Sequence, residues 1–129
     1  MTVHTILVVE DTPANMKLTT MLLRREGYRV LQADNAMDGI SLAKSEQPDL
    51  VLMDIQLPGM DGLTAIRMLH RDPATRHIKL IALTAHAMKG DEQKMINSGC
   101  DAYVAKPISY KSFLEEIKRI LAKPRPATE

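Results

Sequence analysis

Five polar side chains directly follow apolar runs of the sequence, and their types suit reactions of phosphate groups. Glu10 and Asp11 follow the first run, Asp54 the third, Thr84 the fourth and Lys106 the fifth. Three carboxylates brought together repel one another, and a hard divalent cation such as Mg²⁺ relieves that repulsion. A hydroxyl and an ammonium group on the far side suit a transferred phosphoryl group. In such a set Asp54 is a candidate nucleophile that forms an aspartyl phosphate.

Each of these residues also has an ordinary structural interpretation. Glu10 and Asp11 could cap the helix that follows, and Asp54 could form a turn. Thr84 could simply end a strand, and Lys106 could be a solvated loop lysine. Taken singly, most of them favour the structural interpretation. Their coincidence at the ends of four of the five runs favours the chemical one.

Five apolar runs have the length of β-strands. They are Thr5–Val9, Tyr28–Ala33, Asp49–Met53, Ile78–Leu83 and Ala102–Ala105. The first, third and fourth are nearly continuous in Ile, Leu and Val, which is typical of strands covered on both faces. Arg29 and Gln32 interrupt the second, and the fifth is short, so we expect these two at the edges of a sheet.

Helical patterns separate the strands. They are Asn15–Glu26, a stretch capped by Asn35, a stretch opening at Asp61 or Gly62, the region around His86–Ser98, and a stretch capped by Ser109. This alternation predicts an α/β fold, a doubly wound parallel sheet of five strands and five helices with strand order 2-1-3-4-5. Ligands of such sheets bind at the carboxyl ends of the strands where the strand order reverses. The polar residues that follow the runs would all lie at that edge.

Composition excludes several classes of protein. The chain has 129 residues, which suits one domain, and its formal net charge of +1 gives no field that would attract nucleic acid. The single cysteine, Cys100, excludes a disulfide framework and a structural zinc site. No apolar run approaches the roughly 20 residues of a membrane span, and no secretory signal is evident. We therefore expect a cytoplasmic protein without membrane insertion and without a nucleic-acid partner.

Several segments together resemble the receiver domain of bacterial two-component response regulators, which has the CheY-like fold. The matching segments are Val8–Asp11, Leu52–Gly62, Ala82–Ala85 and Ala105–Pro107, and the resemblance covers about residues 5–122. Within that family, Asn15–Leu18, Asp54–Pro58, Ala87–Asp91 and Gly99–Tyr103 look like the DivK-type single-domain regulators. The resemblance implies a receiver domain over residues 1–123 and a short tail over 124–129, without an output domain.

The resemblance also implies a role for each site residue. Asp54 matches the phosphoacceptor, and Asp11 matches the direct ligand of Mg²⁺ or Mn²⁺. Glu10 would act on the cation through a water molecule, and the main-chain carbonyl of Gln56 would supply a further ligand. Many relatives have Asp where this chain has Glu10, which affects only the geometry of the metal site.

The remaining roles concern the switch. Thr84 matches the hydroxyl that binds the phosphoryl group, Lys106 matches the ammonium that pairs with it, and Tyr103 matches an aromatic residue that rotates inward after phosphorylation. The donor would be a phosphohistidine on a sensor histidine kinase or a histidine phosphotransfer protein. A downstream protein would bind the fourth helix, fifth strand and fifth helix, in cell-cycle or cell-polarity control. The chain would be no enzyme beyond catalysing its own phosphorylation and dephosphorylation.

Other functions remain open at this point. The chain could be a phosphorelay intermediate or the receiver module of a hybrid kinase system. An aspartate-nucleophile phosphatase uses similar chemistry but carries a D-x-D pair after its first strand, where this chain has Glu10-Asp11-Thr12. A flavin or nucleotide carrier would need glycines in the first loop, which here contains acids and Pro13.

Overall fold

The computed structural model describes residues 3–84, 89–105 and 109–123, and strands alternate with helices along the chain. The elements are β1 (Thr5–Val9), α1 (Pro13–Arg25), β2 (Arg29–Ala33), α2 (Ala36–Glu46), β3 (Leu50–Asp54), α3 (Gly62–Arg71), β4 (Lys79–Thr84), α4 (Lys89–Asn97), β5 (Ala102–Ala105) and α5 (Tyr110–Ala122). The strands form one parallel sheet in the order β2-β1-β3-β4-β5. The predicted fold class and strand order are confirmed, with β2 and β5 at the edges.

Two hydrophobic layers cover the sheet, one on each face. Leu7 and Val9 of β1 belong to the layer that contains buried residues of α2 and α3. Ile6 and Val8 of the same strand belong to the layer that contains buried residues of α1 and α5. Successive side chains of a strand point to opposite faces, so a central strand that is covered twice must be apolar at every position. This is why apolar and polar residues do not alternate in the central strands.

Several element boundaries differ from the predicted ones by one or two residues. Helix α1 begins at Pro13 rather than Asn15, because proline fits the first turn of a helix. Strands β3 and β4 each run one residue further than the apolar pattern, so that Asp54 and Thr84 are their last residues. The predicted start of the fourth helix at His86 lies outside the described residues.

The helix caps follow the predictions in part. Asn35 precedes α2, and its side chain accepts a hydrogen bond from the Asp38 amide at 2.8 Å. Asp61 does the same for α3, accepting from the Thr64 amide at 2.8 Å. Ser109 occupies the cap position of α5 but makes no side-chain cap bond there. Thr12, rather than Glu10 or Asp11, occupies the cap position of α1, so neither acid acts as the predicted alternative cap.

Gly62 lets α3 approach the end of β3 at very short range. A β-carbon at this position would lie 2.2 Å from the Asp54 carbonyl oxygen and 2.5 Å from the Ile55 α-carbon. The Gly62 amide donates to the Ile55 carbonyl oxygen at 3.2 Å. Since the neighbouring atoms belong to the backbone, no side-chain rotation could make room for a larger residue.

Lys79 joins the start of β4 to the end of α5. Its ammonium group donates to the carbonyl oxygens of Leu121, at 3.1 Å, and Lys123. Unpaired carbonyls at a helix C-terminus carry partial negative charge, which a lysine neutralises. The end of α5 is therefore held at the amino edge of the sheet.

Replacing Asn35 by alanine is expected to lower the free energy of unfolding by about 1 kcal/mol, because α2 loses its side-chain cap. Ser109→Ala is the matched control, since Ser109 makes no cap bond, and should change stability by no more than about 0.5 kcal/mol. Urea unfolding measures both. Equal losses in the two variants would contradict this account of the caps.

Gly62→Ala is expected to lower the free energy of unfolding by about 1–3 kcal/mol, because the added methyl group overlaps the backbone of β3. Gly59 provides a control, since it has a positive φ of 79° and no atom lies within 4 Å of an added β-carbon. Asparagine tolerates that conformation, so Gly59→Asn should cost about 1 kcal/mol or less. Urea unfolding tests the stability difference. The Asp54 and Ile55 amide resonances should move in Gly62→Ala alone.

Candidate metal centre at the carboxyl end of the sheet

Three carboxylates meet where β1 and β3 end. Glu10 and Asp11 follow β1 directly, and Asp54 ends β3. Val9 is paired with Met53 in the sheet, so the two strands bring these acids to the same level. One carboxylate oxygen from each residue lies within 4.8 Å of the others. The structure therefore brings together the three acids that the sequence predicted at this edge.

The cluster combines like charge with burial. Glu10 is 2% exposed and Asp54 is 3% exposed, whereas Asp11 is open to solvent. Two ionised carboxylates at such a separation repel by about 3 kcal/mol at an effective dielectric constant of about 20. A divalent cation would turn this repulsion into attraction.

Backbone amides orient two of the three carboxylates. The Thr12 amide donates to Glu10 Oε2 at 3.2 Å, and the Gln56 amide donates to Asp54 Oδ1 at 2.9 Å. Asp54 therefore does form the local turn considered from the sequence. Because a carboxylate has two oxygens and about four acceptor positions, this bond is compatible with ligation and with nucleophilic attack.

The donor set fits a small hard cation. Carboxylate oxygens are the ligands that Mg²⁺ prefers, and an octahedral site is completed by water or phosphate oxygens on its open side. Asp11 is the exposed member of the set and marks the open side. The N-terminus of α1 begins two residues after Asp11, and its partial positive charge favours the same carboxylates.

Thr84 lies two strands from Glu10 and Asp11 at the same edge. It is 1% exposed and ends β4. Asp54 is paired with Leu83, and the Ile55 amide donates to the Leu83 carbonyl oxygen at 3.0 Å. Thr84 thus stands one residue beyond the partner of Asp54 in the neighbouring strand. Lys106, predicted to supply the ammonium group, lies outside the described residues.

The structure describes Gln56 and Tyr103, the two residues with predicted roles as a carbonyl ligand and as a switch. Gln56 follows Asp54 by two residues and is exposed, and the role of its carbonyl oxygen stays a prediction. Tyr103 is half-buried in β5, where it is paired with Ala82 and packs against the α2–α3 side of the core. It also lines a groove of about 290 Å³ with residues of α5 such as Phe113. The rotation of Tyr103 stays a prediction.

A cleft of about 620 Å³ opens beside the cluster between α1 and α2. Glu10 and Asp11 form one end of it, and Asp34 and Asp38 add two further carboxylates. Its described lining does not include Asp54. The cleft therefore shares Glu10 and Asp11 with the acidic cluster.

The single cysteine, Cys100, is partly buried. Burial raises the pKa of the Cys100 thiol, which donates a hydrogen bond to the Met95 carbonyl oxygen at 3.0 Å. A raised pKa disfavours the reactive thiolate form of Cys100. Within the described ranges, no helix has the length and apolar character that crossing a membrane requires.

Sequence reasoning missed the contribution of glycines to this edge. The sequence indicates Gly62 as a possible helix start and as part of the segment that resembles receiver domains, and the structure shows that its missing side chain admits the backbone of Asp54 and Ile55. A glycine at the first position of a helix, eight residues after a candidate nucleophile, was the available signal.

Comparison with known proteins agrees with this geometry. Residues 6–118 match the family model described as the response regulator receiver domain. The chain is 46% identical over 116 residues to the polar-differentiation response regulator DivK of Brucella anthropi, covering 90% of this chain and 94% of the relative. The DivK of Brucella ovis is 45% identical over the same shares.

Solved structures give the same result. The receiver domain of sensor histidine kinase PA1611 from Pseudomonas aeruginosa, with a magnesium ion in its active-site cleft, is 32% identical with a TM-score of 0.87, covering 95% of this chain and all of that one. A CheY-like receiver domain protein from Methanospirillum hungatei is 33% identical with a TM-score of 0.86, covering 93% and 94%. The chain belongs to the response regulator receiver domain family and is similar to the DivK regulators.

Proposed function

We propose that this domain is a phosphorylation-controlled switch that receives a phosphoryl group on Asp54 and then binds a partner protein differently. The observation that carries the proposal is the cluster of Glu10, Asp11 and Asp54, whose oxygens lie within 4.8 Å of one another. The likeness to DivK supports a role in cell polarity or cell-cycle control.

The donor is a phosphohistidine on a sensor histidine kinase or a histidine phosphotransfer protein. An oxygen of the Asp54 carboxylate attacks phosphorus, and the bond between phosphorus and the donor nitrogen breaks with its electron pair on nitrogen. A proton on the second ring nitrogen lets the imidazole leave as a neutral group. Mg²⁺, when bound, neutralises charge on the phosphoryl oxygens and orients them.

The domain's own residues hold the acceptor in place and respond to the product. The Gln56 amide fixes one oxygen of Asp54, which orients the carboxylate for attack along one direction. The Thr84 hydroxyl donates to an oxygen of the transferred group, and Lys106 pairs with its charge. Movement of Thr84 then draws Tyr103 inward, which changes the surface of α4, β5 and α5 that the downstream protein binds.

A second candidate within the family is the receiver module of a hybrid kinase system or a phosphorelay. The likeness to the receiver domain of a sensor histidine kinase favours it. The phosphatase considered from the sequence has no such support, since the family model that matches is that of receivers.

Asp54→Asn is expected to abolish phosphorylation with the fold retained. Intact-protein mass after incubation with acetyl phosphate and Mg²⁺ should show one added phosphoryl group in the wild-type protein, removed by hydroxylamine and absent with excess EDTA. Asp61→Asn is the matched control, because it changes a nearby acid while asparagine preserves the cap of α3. Labelling of Asp54→Asn at the wild-type rate would refute the assignment.

Mg²⁺ is expected to stabilise the domain through the acidic cluster. At about 100 times its dissociation constant, the cation should raise the free energy of unfolding by about 2.7 kcal/mol. Asp11→Asn should bind more weakly and lose most of this increase at the same concentration. Asp34→Asn removes a carboxylate of the neighbouring cleft and should keep the increase. Urea unfolding with and without Mg²⁺ measures all three proteins, and an unchanged increase in Asp11→Asn would count against the metal site.

A further inference from the structure

Gly39 lies in the interior of α2, where glycine is a poor choice for a helix. Its amide donates to the Asn35 carbonyl oxygen at 3.1 Å, which is the regular helical bond. It does not belong to the described residues that have a positive φ. Backbone conformation therefore does not explain the glycine, and the reason lies in the space around it.

The space beside Gly39 is filled by Val9 of β1. A β-carbon on Gly39 would lie 2.7 Å from one methyl carbon of Val9 and 3.3 Å from the other. Val9 is fully buried, and a β-branched side chain has few allowed rotamers. A rotation that removed a methyl group from this place would push it among tightly packed neighbours.

Val9 is also the last residue of β1 before the acidic cluster. It is paired with Ala33 on one side and Met53 on the other. The next residue, Glu10, donates its amide to the Ala33 carbonyl oxygen at 3.0 Å. A displacement of Val9 would therefore also move Glu10, the next residue in the chain. It would also move Met53, which is paired with Val9 in β3 and precedes Asp54.

We infer that Gly39 is a positioning residue, whose missing side chain lets α2 press on Val9 and so sets the place of the Glu10 and Asp11 carboxylates for cation binding. The inference rests on the proposed function, in which the cluster holds Mg²⁺. Gly62 has the corresponding relation to Asp54, through the backbone of β3. Helices α2 and α3, on the same face of the sheet, thus each meet one of the two acid-bearing strands through a glycine.

The other described glycines differ from Gly39 and Gly62. Gly27 and Gly59 have φ values of 91° and 79°, and no atom lies within 4 Å of an added β-carbon. Those two glycines serve the shape of a turn. Gly99 combines a φ of 100° with a close approach to the His70 ring, which would lie 2.5 Å from an added β-carbon. Gly39 and Gly62 are the described glycines whose close approach is to β1 or to the end of β3, the strands that carry the acids.

The test is a double-mutant cycle in which Gly39→Ala adds a methyl group and Val9→Ala removes two. Gly39→Ala should weaken Mg²⁺ binding about tenfold, the scale on which supporting residues alter metal affinity. In the Val9→Ala, Gly39→Ala double variant both short contacts are removed, and the added carbon lies 3.6 Å from the Val9 β-carbon position, an ordinary contact. The double variant should therefore recover affinity to within about threefold of the wild-type protein.

Two measurements separate positioning from loss of stability. Calorimetric titration with Mg²⁺ gives the affinity, and amide spectra without metal report the position of Glu10 and Asp54. Ala43→Gly is the matched control, because Ala43 is fully buried one turn further along the same face of α2. It should destabilise the domain yet leave the affinity and both amide signals unchanged.

Each outcome decides the inference. Wild-type affinity in Gly39→Ala, or no recovery in the double variant, would overturn it. If Gly39→Ala does not fold, the double variant alone tests the inference. The inference then requires the double variant to fold and to bind Mg²⁺ nearly as tightly as the wild-type protein. If the wild-type protein binds no Mg²⁺, the proposed function fails, while the amide spectra still show whether Gly39 sets the position of Glu10.

Discussion

The fold must hold three carboxylates close together at one edge of the sheet although they repel one another. Left to themselves, Glu10, Asp11 and Asp54 would separate, and in the folded chain their oxygens lie within 4.8 Å of one another. Two apolar layers on the sheet stabilise the fold that holds them together, and the Thr12 and Gln56 amides donate to Glu10 and Asp54. This edge of the sheet therefore attracts positive charge, because a cation placed there is attracted by all three carboxylates at once.

The topology explains why the repulsion can be concentrated at one edge. Every strand of a parallel sheet ends on the same side, so residues far apart in sequence become neighbours there. The order β2-β1-β3-β4-β5 places the acid-bearing strands β1 and β3 side by side and β4 next to them. Successive strands are added on one side of β1 (β2) and then on the other (β3, β4 and β5), so the strand order reverses between β1 and β3. Binding sites of such sheets open at this point, where Asp11 meets solvent.

Much of this arrangement could be predicted because it follows from repeating patterns. Continuous apolar runs and their alternation with helices determine the fold class and the strand order, and the acids then follow from their position after β1 and β3. The ends of the strands were harder to predict, because Asp54 and Thr84 are polar yet are the last residues of β3 and β4. The position of a glycine in a helix can indicate a close approach, but the atoms that Gly39 and Gly62 meet could not be predicted, because a missing side chain gives no signal of what fills its place. The roles of Thr84, Lys106, Gln56 and Tyr103 stay predictions from the family.

The tie between Lys79 and the end of α5 has a consequence for how the domain can be joined to other molecules. Lys123 is held beside the start of β4, whereas the acidic cluster lies past the other end of the strands. A strand of five or six residues separates these two levels by about 17–20 Å. A fluorophore or surface tether attached to Lys123 itself would therefore lie at the end of the sheet opposite the site. Such an attachment leaves the approach of a phosphodonor unobstructed.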